Sequence, residues 1–164
     1  MLILAKKMEG IVMNVADLMT KNYLSINPDT PICKIQQLLV RHHLNGLVVT
    51  ENKDELIGIV TYSDICSKLL PDYDELMQDH SFFFNPEKME DRLVNIMNLP
   101  VKEIMTTKII TTSPDNNAIK AGALMNAKRI KLLPVVENDK LVGIISRTDI
   151  AWGLIIKYCK YIPK

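Results

Sequence analysis

Gly143-Ile144-Ile145-Ser146-Arg147-Thr148-Asp149 is a short segment that has a counterpart earlier in the chain, Gly58-Ile59-Val60-Thr61-Tyr62-Ser63-Asp64. In both copies an apolar strand pattern ends on a hydroxyl residue, and an aspartate follows three positions later, at the start of an apolar helix pattern. The spacing predicts a strand-to-helix junction, where the hydroxyl caps free N–H groups of the new helix. The same N–H groups, together with the helix dipole, attract a phosphate.

The aspartate of each copy has two interpretations. One turn into the helix, Asp64 or Asp149 could accept hydrogen bonds from the hydroxyls of a ribose. Thr-x-x-Asp and Ser-x-x-Asp are also close to a capping box, in which the acid only reaches back to the N–H of the cap residue. For one copy alone we favour capping, and the duplication with matching flanks strengthens the ligand interpretation.

The flanks of the two copies match over most of the chain. An offset of 86 residues relates Val15–Thr20 to Val101–Thr106 and Asn27–Asp29 to Ser113–Asp115, and the helix pattern Asn117–Lys128 matches Ile32–His43 in place. After one deleted residue in the hairpin turn the offset becomes 85, which aligns Gly58 with Gly143. The shared order is strand, helix, strand, strand, helix, about 50 residues long. Since so small a unit is marginal alone, we expect an α/β (α+β) fold of two pseudo-symmetric repeats, packed sheet to sheet with a cleft between them.

Local patterns predict the elements of the first repeat. Thr30-Pro31 indicates a helix start, with the threonine as N-cap and the proline at N1, and this helix runs to about His43. Two strands follow as a hairpin across the polar turn Glu51–Glu55. A second helix begins at Tyr62 and ends near Leu70.

Composition narrows the classes of function. Of the 164 residues, 48% are apolar and 24% charged, and the net charge is +1, which gives no sign of binding to nucleic acid or an anionic membrane. The three cysteines, Cys33, Cys66 and Cys159, form no Cys-x-x-Cys pair, so we expect no metal site, no disulfide framework and a cytoplasmic location. No apolar stretch approaches the length of a membrane span.

This order of motifs resembles the CBS domain, the small repeat first named in cystathionine β-synthase. The resemblance rests on the apolar-Gly-apolar-apolar-[Thr/Ser]-x-x-Asp signature in both copies, the Leu133-Pro134-Val135-Val136 strand, and the two Met-Thr openings. It implies a stand-alone tandem CBS pair, or Bateman module. The predicted divisions are a lead-in (1–14), the first repeat (15–70), an insert (71–100), the second repeat (101–158) and a tail (159–164).

The resemblance also implies site residues. Asp64 and Asp149 would hold a ribose, Thr61 and Ser146 would lie near the ribose or phosphate, and Lys131 would reach a phosphate. Residues around the first strand of each repeat, with the proline of the later strand, would flank the adenine: Asn22, Tyr23, Leu24, Lys108, Ile109, Ile110 and Pro134. The first repeat departs from the pattern, because Val48 stands at the proline position and Asn45-Gly46 replaces Lys131-Leu132.

Three other features of the sequence can be interpreted either as structural or as part of a binding surface. The basic cluster Lys128–Lys131 is part of a phosphate-binding rim, a contact for nucleic acid, or a solvated helix end near the negative end of the helix dipole. In the insert, Phe82, Phe83 and Phe84 either pack against the module's own sheets, or the insert covers a cleft mouth or forms part of a dimer contact. Asn85-Pro86 begins a helix. The apolar face that begins at Trp152 extends the last helix and could pack on a partner subunit.

These features lead to a non-catalytic regulatory module that senses an adenine nucleotide or another adenosyl compound, namely AMP, ADP, ATP or S-adenosylmethionine, with no required cofactor. We also expect a homodimer and a regulated protein partner that the sequence does not identify, and neither nucleic acid nor membrane as a partner. The alternative is a structural or adaptor protein that uses the fold for dimerisation and partner binding, with no physiological nucleotide. The sequence contains no Walker loop and no nucleophile–base pattern, so we do not expect an enzyme.

Overall fold

The computed structural model describes residues 13–52, 55–78 and 85–159, apart from the side chain of Tyr158. The run Phe82–Phe84 therefore lies outside the described residues. The chain divides into two compact units, one made of residues 24–109 and the other of residues 1–23 and 110–164. Each unit thus combines the Met-Thr opening of one sequence repeat with the strands and helices of the other.

The unit of residues 24–109 is built on a three-stranded sheet. Its elements are β1 (Ser25–Ile26), α1 (Ile32–Arg41), β2 (Gly46–Glu51), β3 (Glu55–Thr61), α2 (Tyr62–Leu69), α3 (Tyr73–Gln78), α4 (Pro86–Met97) and a 3-10 turn at Val101–Glu103. The sheet order is β1-β2-β3, with β1 parallel and β3 antiparallel to β2. The predicted helix and hairpin are confirmed, and Ile32, Ile35 and Leu39 form the buried face of α1.

The other unit repeats this arrangement with a shorter sheet. It contains a 3-10 turn at Val15–Asp17, α5 (Ala118–Ala127), β4 (Leu132–Glu137), β5 (Lys140–Ser146) and α6 (Arg147–Cys159). A single parallel bridge from Thr112 to Val135 takes the place of the first strand. The register of both hairpins shifts at the same point of the repeat, after Val49 and after Val135. The predicted mixed α/β fold is confirmed.

The start of α1 differs from the prediction. Pro31 is the N-cap residue and makes no side-chain capping bond, so Thr30 is not the cap and Pro31 is not at N1. The reason is tertiary pairing: the Thr30 carbonyl accepts from the Val101 N–H at 2.9 Å, and the Ile32 N–H donates to the Leu99 carbonyl at 3.0 Å. These bonds hold residues 30–32 extended and delay the helix.

The caps of two other helices follow sequence rules. Asn117, at the position that matches Pro31, accepts hydrogen bonds from the N–H groups of Ile119 and Lys120 at the start of α5. Asn85 accepts from the Glu87 N–H at 3.0 Å, with Pro86 at N1, which confirms the predicted start of α4. An asparagine carbonyl satisfies N–H groups that the first helical turn leaves without partners.

The Met-Thr segments pack against the glycine of each signature. A Cβ atom added at Gly143 would lie 2.9 Å from the Met19 Sδ and 3.1 Å from the Thr20 carbonyl oxygen. A Cβ at Gly58 would collide with the Met105 side chain. Glycine therefore admits the close approach at both positions, and Met105 and Met19 are packing residues against the two cores.

We expect Gly58→Ala to destabilise the protein by about 1–3 kcal/mol, because the added methyl overpacks the contact with Met105. Chemical denaturation should show a smaller cost in a Met105→Ala background, where the collision is removed. Gly122→Ala is the matched control. Its Cβ would meet Ile150 at an ordinary 3.4 Å, so the change should be neutral or stabilising by up to about 1 kcal/mol. Equal costs for the two glycines would contradict this account.

Candidate functional site

The first strand-to-helix junction holds the Asp64 carboxylate by one oxygen. Thr61 ends β3 and is the N-cap of α2. Its N–H and its hydroxyl both donate to the Asp64 Oδ2 at 2.7 Å. The half-buried carboxylate is therefore oriented by two charge-assisted hydrogen bonds.

The second junction has the same geometry. The Ser146 N–H donates to the Asp149 Oδ2 at 2.8 Å and the Ser146 hydroxyl at 2.7 Å. The Asp149 N–H donates back to the Ser146 Oγ at 3.1 Å, which completes a capping box. The duplicated signature therefore produces duplicated chemistry, with a serine in one unit and a threonine in the other.

The capping interpretation of the two aspartates is confirmed, and their ribose-binding role stays a prediction. The cap contacts engage Oδ2, whereas a carboxylate has acceptor sites on both oxygens. In the first junction, the Thr106 hydroxyl donates to the Asp64 Oδ1 at 3.4 Å, a long hydrogen bond on the exposed side. The geometry thus allows one carboxylate to cap a helix and to accept from a ligand.

Thr106 is a residue that sequence reasoning did not place at the site. It pairs with Ile59 of β3: the Thr106 N–H donates to the Ile59 carbonyl at 2.8 Å, and the Ile59 N–H donates back at 3.0 Å. Thr20 pairs with Ile144 of β5 through the same two bonds, at 2.8 and 3.0 Å. The sequence feature that could have located Thr106 and Thr20 is the Met-Thr dipeptide, which occurs once in each repeat.

A small recess lies beside Asp64. Its volume is about 220 Å³, and its lining residues are Asp64, Ser67, Lys68, Glu103 and Ile104. This is below the roughly 300–1,000 Å³ of sites that enclose a drug-sized ligand. The recess can accept part of a ligand, and the charges of Asp64, Lys68 and Glu103 give it a mixed polar character.

A larger groove, of about 730 Å³, lies between α5 and α6 in the other unit. Arg147 and Thr148 reach it from the start of α6, but Ser146 and Asp149 do not line it. Arg147 contacts the Asn126 amide oxygen there at 3.4 Å. Size alone would select this groove, but the signature residues favour the surroundings of the aspartates.

The predicted adenine-flanking residues are divided between the two units. Tyr23, Asn22, Ile110 and Pro134 belong to one unit, and Leu24, Lys108 and Ile109 to the other. The Tyr23 hydroxyl donates to the Leu141 carbonyl at 2.8 Å. Pro134 is buried in β4, and its carbonyl accepts from the Thr112 N–H at 3.0 Å. Their contact with adenine stays a prediction.

Lys131 directly precedes β4, at the open end of the β4–β5 hairpin. It is exposed and directly precedes Leu132, which lies opposite Ser146 in the hairpin register. In the other unit Gly46 lies opposite Thr61, so the exposed Asn45 occupies the place of Lys131. At this position the second junction therefore carries a positive charge that the first lacks.

Two further features concern the described residues only. Among residues 13–52, 55–78 and 85–159, no group of three or more His, Cys, Asp or Glu side chains is placed to hold a metal ion. Within the same ranges, no helix has both the length and the apolar content needed to cross a bilayer.

Two copies of a strand–helix–hairpin–helix unit, each with an aspartate in the capping box of its last helix, place the chain in the class of small tandem α/β repeat proteins. The CBS domain family matches residues 15–71 and 101–155. The chain belongs to this family, as the repeated signature indicated.

Three of the relatives come from Methanocaldococcus jannaschii: two uncharacterised proteins and an enzyme. One uncharacterised protein is 32% identical over 92% of this chain, which spans 32% of that protein's length. Another is 28% identical over 89% of this chain and 94% of its own length. An inosine-5'-monophosphate dehydrogenase is 25% identical over 82% of this chain, but the match spans only 22% of the enzyme.

Solved structures share the fold. A CBS-domain protein in complex with AMP covers 88% of this chain and 98% of its own, with a TM-score of 0.66 and 24% identity. A CBS domain pair in complex with 5'-methylthioadenosine and S-adenosyl-L-methionine covers 89% of this chain and 98% of its own, with a TM-score of 0.66 and 21% identity.

We expect Ser146→Ala to lower the free energy of unfolding by about 0.5–2 kcal/mol, the usual range for loss of a helix cap. The change removes the hydroxyl that donates to Asp149 and accepts from its N–H. Ser63→Ala, at an exposed position of α2, is the control and should stay within about 0.5 kcal/mol of the parent protein. Urea denaturation measures both, and equal effects would show that the Ser146 hydroxyl is not a significant cap.

Proposed function

We propose that the protein is a non-catalytic regulatory module that binds an adenosyl compound through the surroundings of Asp64 and Asp149. The observation that carries this proposal is the duplicated junction, in which Thr61 or Ser146 fixes one carboxylate oxygen. Membership of the CBS family supports it. So do the structural neighbours, which were solved with AMP in one case and with methylthioadenosine and S-adenosylmethionine in the other.

The chemistry follows from the geometry of the carboxylate. Because the cap contacts engage Oδ2, Oδ1 is held in a fixed direction and can accept from ribose hydroxyls without first becoming ordered. Hydrogen bonds to an ionised carboxylate are stronger than those between neutral groups. The oriented oxygen therefore gives a diol an advantage over a ligand that has no hydroxyls there.

The phosphate preference should differ between the two junctions. Lys131 supplies a cation beside the Ser146 junction, and Asn45 supplies none beside the Thr61 junction. A lysine ammonium is a compact charge that suits phosphate binding. We therefore assign the phosphate-assisting role to Lys131 and expect the two sites to be unequal.

Regulation would arise from a shift in conformational populations. A ligand moves an equilibrium only by its difference in affinity for the two states. The proposed output is a contact with a regulated protein, and a homodimer is the proposed assembly.

The three cysteines are all free thiols, which supports a reducing, cytoplasmic location.

The first prediction for this function is a thermal shift that is confined to adenosyl compounds. AMP, ADP, ATP, S-adenosylmethionine and NAD, which all contain an adenosyl group, are compared with GTP, which has none, at the same concentration. A ligand at 100 times its Kd stabilises the folded state by about 2.7 kcal/mol. For a chain of this size, that raises Tm by roughly 5 °C or more. No shift with any compound, from protein shown to be free of carried-over ligand, would favour the adaptor alternative.

The second prediction separates the cap from the ligand role. Asp64→Asn and Asp149→Asn should each weaken binding at their own site by at least about tenfold, a loss of roughly 1.4 kcal/mol, because a neutral amide replaces the carboxylate acceptor. Isothermal titration of protein confirmed as folded measures this loss. Asp17→Asn is the matched control, since the exposed Asp17 also caps a turn by accepting from the Asn14 N–H at 2.9 Å. If all three variants lose stability but none loses affinity, the signature aspartates are caps only.

A further inference from the structure

Residues 72–100 lie between the two family matches and differ in charge from the rest of the chain. The matches end at residue 71 and resume at residue 101. Residues 71–100 contain seven carboxylates and two basic residues, Lys88 and Arg92, although the whole chain has a net charge of +1. The insert is therefore an acidic addition to the CBS repeats.

The insert is anchored to the unit of residues 24–109. The Arg92 Nη1 of α4 lies 2.7 Å from the Glu75 Oε1 of α3. The Arg92 Nη2 donates to the carbonyls of Lys68 and Leu70, at 3.4 Å each. Ile96 of α4 is buried in the core of this unit. These contacts hold α3 and α4 beside the end of α2.

The anchored segment, together with Leu70 just before it, exposes large apolar side chains. Leu70 is 59% exposed, Tyr73 74%, Met77 56% and Val94 56%. We name these four residues the insert face. Tyr73 and Met77 are four positions apart in α3, so they lie on the same side of the helix. Tyrosine and methionine are enriched in protein interfaces, and exposed apolar side chains on one side of a helix suit a contact surface.

We infer that the insert face binds a basic amphipathic helix of a protein partner. The apolar residues of such a helix would cover Tyr73 and Met77, as in helix-in-groove recognition. Its cations would meet the exposed carboxylates of Asp72, Asp74, Glu90 and Asp91, which gives the interface electrostatic complementarity. The proposal goes beyond ligand sensing and stands whether or not an adenosyl compound binds.

Charge selects this occupant over two others. In a twofold contact between copies, each surface meets its own equivalent, so the carboxylates around the two insert faces would lie together and repel. An anionic membrane surface would repel the same carboxylates. A basic segment gains from both the apolar residues and the charged residues around them.

The test uses the full-length protein and a fluorescent synthetic helix with leucine along one face and lysine along the other. In anisotropy titrations, the double variant Tyr73→Ser/Met77→Ser should bind this peptide at least about tenfold more weakly than the parent protein. Asp72→Asn/Asp74→Asn should also weaken binding and should reduce its dependence on salt. Trp152→Ser/Ile156→Ser, which changes exposed apolar residues of α6, is the control and should bind normally.

Three results would overturn the proposal. The first is equal loss of affinity in the α6 control, and the second is equal binding of a peptide in which glutamate replaces lysine. The third is a dimer of the parent protein, seen by sedimentation velocity, that Tyr73→Ser/Met77→Ser converts to monomer, because a second copy would then be the occupant. If the serine variant does not fold, the asparagine variant decides: unchanged affinity and salt dependence would also overturn the proposal.

Discussion

The pairing of each Met-Thr segment with the edge of a hairpin sets the geometry of both candidate sites. Two backbone hydrogen bonds join Thr106 to Ile59, and two join Thr20 to Ile144. This close approach places a methionine over Gly58 or Gly143, and a side chain larger than hydrogen would collide there. In the first junction the same pairing brings the Thr106 hydroxyl to the Asp64 carboxylate. The glycine of the signature therefore serves the site indirectly, by admitting the segment that completes it.

The sequence predicted those features that depend on local pattern. Apolar periodicity located α1 and both strands of the first hairpin, because a helix or strand that buries one face has apolar residues at regular spacing in the sequence. The cap at Asn85 was also predictable, since a capping side chain bonds to N–H groups only two residues away. The junctions were found from a duplicated motif, whose two copies reinforced an interpretation that neither would support alone.

Long-range pairing explains what the sequence did not reveal. Thr30-Pro31 has the local form of a cap followed by proline, but bonds to Leu99 and Val101 hold these residues extended. Those partners lie about 70 residues away, so no local rule includes them. The same applies to Thr106, which is 42 residues from Asp64. Each Met-Thr segment also belongs to the unit formed by the other sequence repeat. Aligning the two repeats does not reveal this, because an alignment shows similarity and not contact.

Because Asp64 and Asp149 can serve both as helix caps and as ligand acceptors, their presence alone does not distinguish the two roles. A carboxylate that caps a helix is retained for stability even when nothing binds, so Asp64 and Asp149 are compatible with either function. Lys131 is different: it is exposed, and Asn45 fills the same place in the other hairpin without disturbing the pairing of Gly46 with Thr61. The fold thus tolerates either residue there. A position that the fold leaves free can respond to the charge of a ligand, and this asymmetry is a more sensitive indicator of function than the shared aspartates.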